Sequence, residues 1–89
     1  MKNYRKLERV VKGFSNHRRI EILALIKRKP ELSLTDISDE LKINFKTASE
    51  HIRRLAIAGL VMKRSEGPSV CHKITPTGSS ILMFLRTLE

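Results

Sequence analysis

Apolar residues recur at helical spacing along most of this chain, and the intervals between the runs hold residues that start and stop helices. In residues 3 to 13, Tyr4, Leu7, Val10 and Val11 stand three and four apart and continue to Phe14, with Lys2, Arg5, Lys6, Arg9 and Lys12 around them. This predicts an amphipathic helix that Gly13 ends. Ser15 or Asn16 caps a second helix, His17 to about Arg28, whose Ile20, Ile22, Leu23, Leu25 and Ile26 cover more than half of its circumference. It is the expected central core helix. Its end, Lys27-Arg28-Lys29-Pro30, sets cations at the negative end of the helix dipole, before a proline that cannot continue the helix.

Leu32 and Ser33 read as a short extended link, and Ser33 with Asp36 has the spacing of a capping box. Leu34, Ile37 and Leu41 then form an apolar stripe, with Asp36, Asp39 and Glu40 on the wet side. After the turn Lys42-Ile43-Asn44, Asn44 is a good N-cap for a run from Phe45 to Ala58 that contains no Pro or Gly before Gly59. At about 100° per residue, Ala48, Ile52, Leu55 and Gly59 gather on one side of this helix. Lys46, Ser49, Glu50 and Arg53 gather on the other. Two helices joined by a tight turn, the second more basic, form the pattern of a helix-turn-helix over residues 34 to 58.

The runs LVMKRS and VCHKIT flank the turn composition Glu66-Gly67-Pro68-Ser69 and predict a β-hairpin, or wing, over residues 60 to 75. Thr75 caps, and Pro76 opens, a last helix over residues 76 to 88 with an apolar face of Ile81, Leu82, Phe84, Leu85 and Leu88. The expected fold class is therefore mainly α with a small β-hairpin wing, a winged helix-turn-helix, in one domain spanning 1–89.

Charge changes the picture from fold to partner. Eighteen Lys and Arg stand against nine Asp and Glu, a net charge of +9 over 89 residues, which points to a polyanion and first to double-stranded DNA. No stretch approaches the roughly 20 apolar residues of a membrane span, and MKNYRKLERVVK lacks the apolar core of a signal peptide. The expected setting is cytoplasmic, without a membrane partner. A single cysteine, Cys71, excludes an internal disulfide or a zinc site of several thiolates, and strand alternation separates it from His72. No metal or cofactor is expected. The chain offers no Ser-His-Asp set, paired carboxylates or Gly-rich phosphate loop at workable spacing, so an enzyme is not expected.

The candidate DNA contacts are Asn44, Lys46, Thr47, Ser49, Glu50, Arg53 and Arg54 around the second helix of the motif, with Lys63, Arg64 and Lys73 in the wing. Lys46 can donate to guanine O6 or N7, and Arg53 to guanine or phosphate. Glu50 either accepts from a cytosine amine or orients Arg53 or Arg54, and the second role fits a carboxylate near phosphates better. The plainer account is a helix-surface pair worth about 0.2–0.5 kcal/mol. His51, near the apolar side, is expected to be a half-buried structural histidine bonded to a neighbour. Tyr4, Leu7 and Val11 of the first helix and Ile81, Leu82, Leu85 and Leu88 of the last are candidate dimer contacts, because so small a domain can hardly hide both faces.

Three strings, FSNHRRIEILALI, LTDISDELKINFKTASEHIRRLAIAGLV and KRSEGPSVCHKIT, closely resemble the ArsR-type winged helix-turn-helix repressors. Asn16 to Leu23 is similar to the family's N-P-R-R-L-x-I-L helix start, and Thr47 to Ile52 to its T-V-S-x-H-L helix. Ala58-Gly59-Leu60-Val61 completes the likeness, while Ile74 to Gly78 is similar to a junction in MarR-like and archaeal winged helices. The resemblance implies a homodimer joined through its first and last helices. It also implies one helix of each protomer in a major groove, and wings along the backbone.

Departures from the family pattern bear on sensing and contact. Leu32-Ser33-Leu34-Thr35-Asp36 replaces the Cys-x-Cys pair with which many members bind metal, and SSILMFLRTLE offers only Glu89 toward the ligand set of others. Phe45 stands where a polar DNA contact is common, so it packs or meets a thymine methyl. Glu66, Pro68 and Ser69 occupy the wing tip where Arg is frequent, which argues against minor-groove insertion. The expected function is a sequence-specific, dimeric repressor of transcription. A protein-interaction module and an RNA-binding winged helix are the alternatives.

Overall fold

In a computed structural model, which describes residues 2–89, three of the five helices open on an asparagine whose side-chain oxygen accepts from the first free amides. Asn3 accepts from Lys6 N and opens α1 (Tyr4–Phe14). Asn16 accepts from Arg18 N and Arg19 N and opens α2 (His17–Arg28). Ser33 and Asp36 complete both bonds of a capping box, at 3.1 and 3.2 Å, around the start of α3 (Leu34–Leu41). Asn44 opens α4 (Phe45–Ile57) by accepting from Lys46 N and Thr47 N. Thr75 and Pro76 start α5 (Pro76–Arg86), which ends slightly before the expected residue 88.

α2 lies at the centre and packs against α1, α3, α4, α5 and the sheet. Its Ile22, Leu23, Leu25 and Ile26 are fully buried together with Ile37 of α3, Leu55 of α4 and Leu60, with Ile52 nearly so. Between α3 and α4, Lys42 takes the left-handed conformation, with φ of 54°, and Ile43 N donates to the Ser38 carbonyl at 3.0 Å. That turn fixes the direction in which α4 leaves the core.

The sheet is richer than a hairpin. β2 (Val61–Glu66) pairs antiparallel with β3 (Ser69–Ile74), and the link before α3 is itself a strand, β1 (Leu32–Ser33). Leu32 faces His72 and Ser33 faces Cys71, giving the order β1-β3-β2. The wing is thus rooted on the residues that cap α3.

Gly13 does not end α1 as its type suggests, because the helix runs through it to Phe14. A Cβ at Gly13 would stand 2.3 Å from the Ala58 Cβ, so glycine is there to let α1 and the end of α4 approach. Gly59 behaves as expected, with φ of 78° just past the α4 C-cap.

Candidate nucleic-acid interface

α4 divides as its periodicity predicts. Ala48, Ile52 and Leu55 are buried, while Lys46, Thr47, Glu50, Arg53 and Arg54 are exposed and Ser49 is half-buried. Asn44 is engaged as a cap, with its oxygen 2.8 Å from Lys46 N, so only its amide NH2 remains to reach outward. The outward face is ordered by one carboxylate. Arg53 donates to Glu50 through Nε and Nη2 at 3.1 and 2.7 Å, and Arg54 Nε donates to it at 3.2 Å.

The hydrogen bond from Arg53, aided by the charges of both arginines and opposed by desolvation, holds the Glu50 carboxyl at about 2. The same bond raises Arg53 further. These groups are open to solvent, so their attraction contributes little to stability. What it supplies is placement: both guanidinium groups are held on the outward side of α4, and Glu50 stays ionised at neutral pH.

The wing arranges its cations differently. Strand alternation puts Lys63 on the sheet face of Val61, His72 and Ile74, and Arg64 and Lys73 on the opposite face with Met62 and Cys71. Arg64 is also committed, pairing with Glu31 before β1 and with Glu66 at 3.0 Å. Lys63 is thereby separated from Arg64 and Lys73, and Arg64 is drawn to carboxylates, so the three do not form one cationic patch.

His72 holds the root of the wing. It is 2% exposed, and its Nδ1 lies 3.0 Å from the Leu32 carbonyl, which joins β3 to β1. Burial lowers its pKa below the ordinary value, the bond to Leu32 opposes this, and Lys63 adds to the lowering. A neutral ring with Nδ1–H donating fits that setting. Cys71 is half-buried on the other face, and among the described residues no three His, Cys, Asp or Glu side chains gather as a metal site.

His51 corrects one expectation. It is half-buried as read, but its buried Nδ1 has no hydrogen-bond partner among the described residues. Burial, then the charge of Arg19, lowers its pKa.

Arg9 and Lys12 of α1 are a further addition. They line one groove with Gly13, Arg53, Arg54, Ile57 and Ala58, extending the cationic face of α4 onto α1. Their alternation with apolar residues in the sequence suggests only a wet helix side; the contact of Gly13 with Ala58 is what brings them to α4.

On the apolar side, Tyr4, Leu7, Val11 and Leu88 are exposed, and Ile81 and Leu85 half-buried. Leu82 is only 8% exposed, within the protomer's own core, and leaves little surface for another chain. Exposed Phe84 shares the side of α5 that carries Ile81, Leu85 and Leu88.

With this geometry in view, a family model described as bacterial regulatory protein, arsR family, matches residues 16–63, more than half of the chain. The chain belongs to the ArsR family. An HTH-type transcriptional regulator of Methanocaldococcus jannaschii is 36% identical over 67 residues, which is 75% of each chain. The transcriptional activator HlyU of Vibrio cholerae is 32% identical over 76 residues, covering 85% of this chain and 69% of that one. Among solved structures, the homodimeric winged helix-turn-helix DNA-binding domain of a possible ArsR-family regulator from Mycobacterium bovis has a TM-score of 0.87 and 27% identity. That match covers 96% of this chain and 79% of the other. As an ArsR-family member, the protein is a DNA-binding transcription regulator with a winged helix-turn-helix. The matched span ends at Lys63, so most of the wing and all of α5 lie beyond it.

Proposed function

We propose that the protein is a homodimeric repressor that occupies a pseudo-palindromic site in double-stranded DNA, acting in the cytoplasm beside the genome it reads. The observation that carries this reading is the outward face of α4, where Lys46, Ser49, Arg53 and Arg54 stand opposite the buried Ala48, Ile52 and Leu55, with both arginines held by Glu50. Side chains of this reach on the first turns of a helix meet base edges and phosphates in a major groove. Two such helices about 34 Å apart would enter successive grooves on one side of the duplex. Lys46 and Arg53 are the base or phosphate contacts, Glu50 positions Arg53 and Arg54, and the wing contributes less because Lys63 faces away from Lys73 and Arg64 is paired with Glu31 and Glu66.

Dimerisation is supported by area as well as pattern. The chain exposes 6321 Å², whereas a globular monomer of 10.2 kDa exposes about 5,300 Å². The excess of about 1,000 Å² is close to the roughly 800 Å² that each partner buries in an ordinary interface. Tyr4, Leu7 and Val11 of α1, Phe84 of α5 and Leu88 just beyond it are exposed apolar groups, and Leu7, Val10 and Ile81 line a groove between these helices. The resemblance to the M. bovis homodimer is consistent with a second copy on this face. Occupancy of a promoter gives repression by exclusion, and HlyU, named as an activator, makes the sign a matter for measurement.

Selection from a random duplex library, followed by binding of the recovered site between 50 and 200 mM salt, tests the DNA reading. A loss of about 10³–10⁵ in affinity is expected for 6–10 phosphate contacts. No recovered consensus, or flat affinity across that range, would overturn it. Sedimentation equilibrium at micromolar concentration should give a dimer without DNA, and a monomer would overturn that part. A reporter driven through the recovered site decides the sign, with activation counting against repression.

A further inference from the structure

Phe45 is the first residue of α4, and its side chain is 53% exposed. Its backbone is fixed in place, because Asn44 on one side caps the amides of Lys46 and Thr47 on the other. The buried face of the helix starts only at Ala48, so the ring has no core to enter. A helical side chain leans toward the N-terminus of its helix, which for Phe45 means out beyond the leading end of α4. That leading end is the part of a recognition helix that meets base edges. The other exposed large apolar groups lie elsewhere: Tyr4, Leu7 and Val11 on α1, Met83, Phe84 and Leu88 toward the C-terminus, Met62 and Val70 in the wing, and Ile57 at the far end of α4.

We infer that Phe45 determines part of the sequence preference by packing against the 5-methyl group of a thymine in the major groove. The inference rests on α4 binding duplex DNA, as proposed above. Two physical facts select this partner. An aromatic ring left in water loses the free energy that burial would release, and it gains that only against another apolar surface. The thymine methyl is the apolar group that base pairs present in the major groove, where every other edge atom in the recognition code is a donor or acceptor. Cytosine and the purines would meet the ring with polar groups left unpaired. Phe45 thus favours a T·A pair at one step of each half-site, while Lys46, next to it and also exposed, covers the phosphate or guanine contacts that a phenyl ring cannot make.

The test uses the full chain and the duplex recovered by selection, with each thymine replaced in turn by deoxyuridine, which removes the methyl and keeps the pairing. For the wild type, one thymine per half-site should give a loss of about fourfold on replacement, and about fifteenfold when both half-sites are changed, as for burial of one methyl each. Phe45→Ala should bind the thymine and deoxyuridine duplexes equally, Phe45→Leu should keep part of the difference, and Lys46→Ala should keep all of it. The exposure of Phe45 predicts that its variants melt within a few degrees of wild type, which a thermal scan checks. If Phe45→Ala retains the wild-type deoxyuridine penalty, the methyl is read by another residue and the inference is overturned. If the recovered duplex binds tightly but shows no penalty at any thymine, the inference fails while the DNA reading stands. If no duplex is selected at all, the DNA reading itself has failed and this inference falls with it.

Discussion

On α4, Glu50 holds Arg53 and Arg54 on the outward side through bonds within one helix, whereas at the wing Glu31 pairs Arg64 with the segment before β1 and Glu66 pairs it within β2. Both regions are basic, and both pair cations with carboxylates. The direction of the pairing differs. On α4 it holds charge on the outer side of one helix; on the wing it ties a strand to the residue that precedes β1. Arg64 is as exposed as Arg53 and Arg54, so what separates the two regions is where the pairing carboxylate sits, on the same helix or across the fold. Substitutions on α4 should change affinity at constant stability, and substitutions at the wing root should do the reverse.

Lys46→Ala should show the largest effect on binding, a loss of about 1–3 kcal/mol with an unchanged melting temperature and relaxed preference at one position of the site. Fluorescence anisotropy on the selected duplex and on single-base variants measures both. An equal loss on every sequence would make Lys46 a phosphate anchor, and a lowered melting temperature would break the division between the regions.

His72→Leu is the matching change at the wing root. It leaves the Leu32 carbonyl without its side-chain donor and should lower stability by about 1–3 kcal/mol, while affinity at a temperature where the domain is folded changes little. It should also reduce the pH dependence of folding. His51 and His72 have folded pKa values held below the ordinary 6.5, so as pH falls through that value the unfolded chain takes up protons that the folded chain resists. Stability should accordingly be flat above about pH 7 and decline toward pH 5, less steeply in His72→Leu. Urea melts at several pH values report the slope. An unchanged slope in the variant would assign the dependence to other groups.

The parts of this molecule that were legible beforehand are those whose cause is local. Asn16, Asn44, the Ser33–Asp36 box and Thr75-Pro76 announce helix starts because a cap bonds within three residues of itself. The division of α4 into a buried and a charged face follows from its period alone, and so does the link between Glu50 and the arginines three and four residues on. What was hidden depends on distant chain. β1 is two residues long, too short for any period, and exists because His72 and Cys71 stand beside it. Gly13 looks like a helix end until Ala58 is seen against it, and Arg64 looks free until Glu31 is. A helical wheel puts Leu82 on the apolar side of α5, but which apolar residues face the core and which face outward is decided by α2 packing on that helix.

Glu50→Gln should have a smaller effect and separates placement from charge. Removing the carboxylate relieves repulsion from phosphates, so affinity for unrelated duplex at low salt should rise about two- to fivefold, the size of a solvent-exposed charge interaction. Arg53 and Arg54 lose the charge and one of the two acceptor oxygens that hold them, so discrimination between the selected site and unrelated DNA should fall. Discrimination that stays constant or improves would mean that Glu50 does not position the arginines for readout.

Arg64→Ala should show the smallest effect, and it tests the wing half of the comparison most directly. If Arg64 serves the fold, losing two exposed pairs lowers stability by no more than about 1 kcal/mol, and the slope of log affinity against log salt stays the same. If instead Glu31 and Glu66 release Arg64 to the backbone when DNA arrives, the slope falls by about one, as for any lost phosphate contact. Stability and salt slope respond to different states of the same guanidinium, so measuring both distinguishes a tether from a contact even where the change in affinity is below twofold. A reduced slope would move the wing from the structural side to the binding side, and pairing of a cation within the free protein would then no longer predict its absence from the complex.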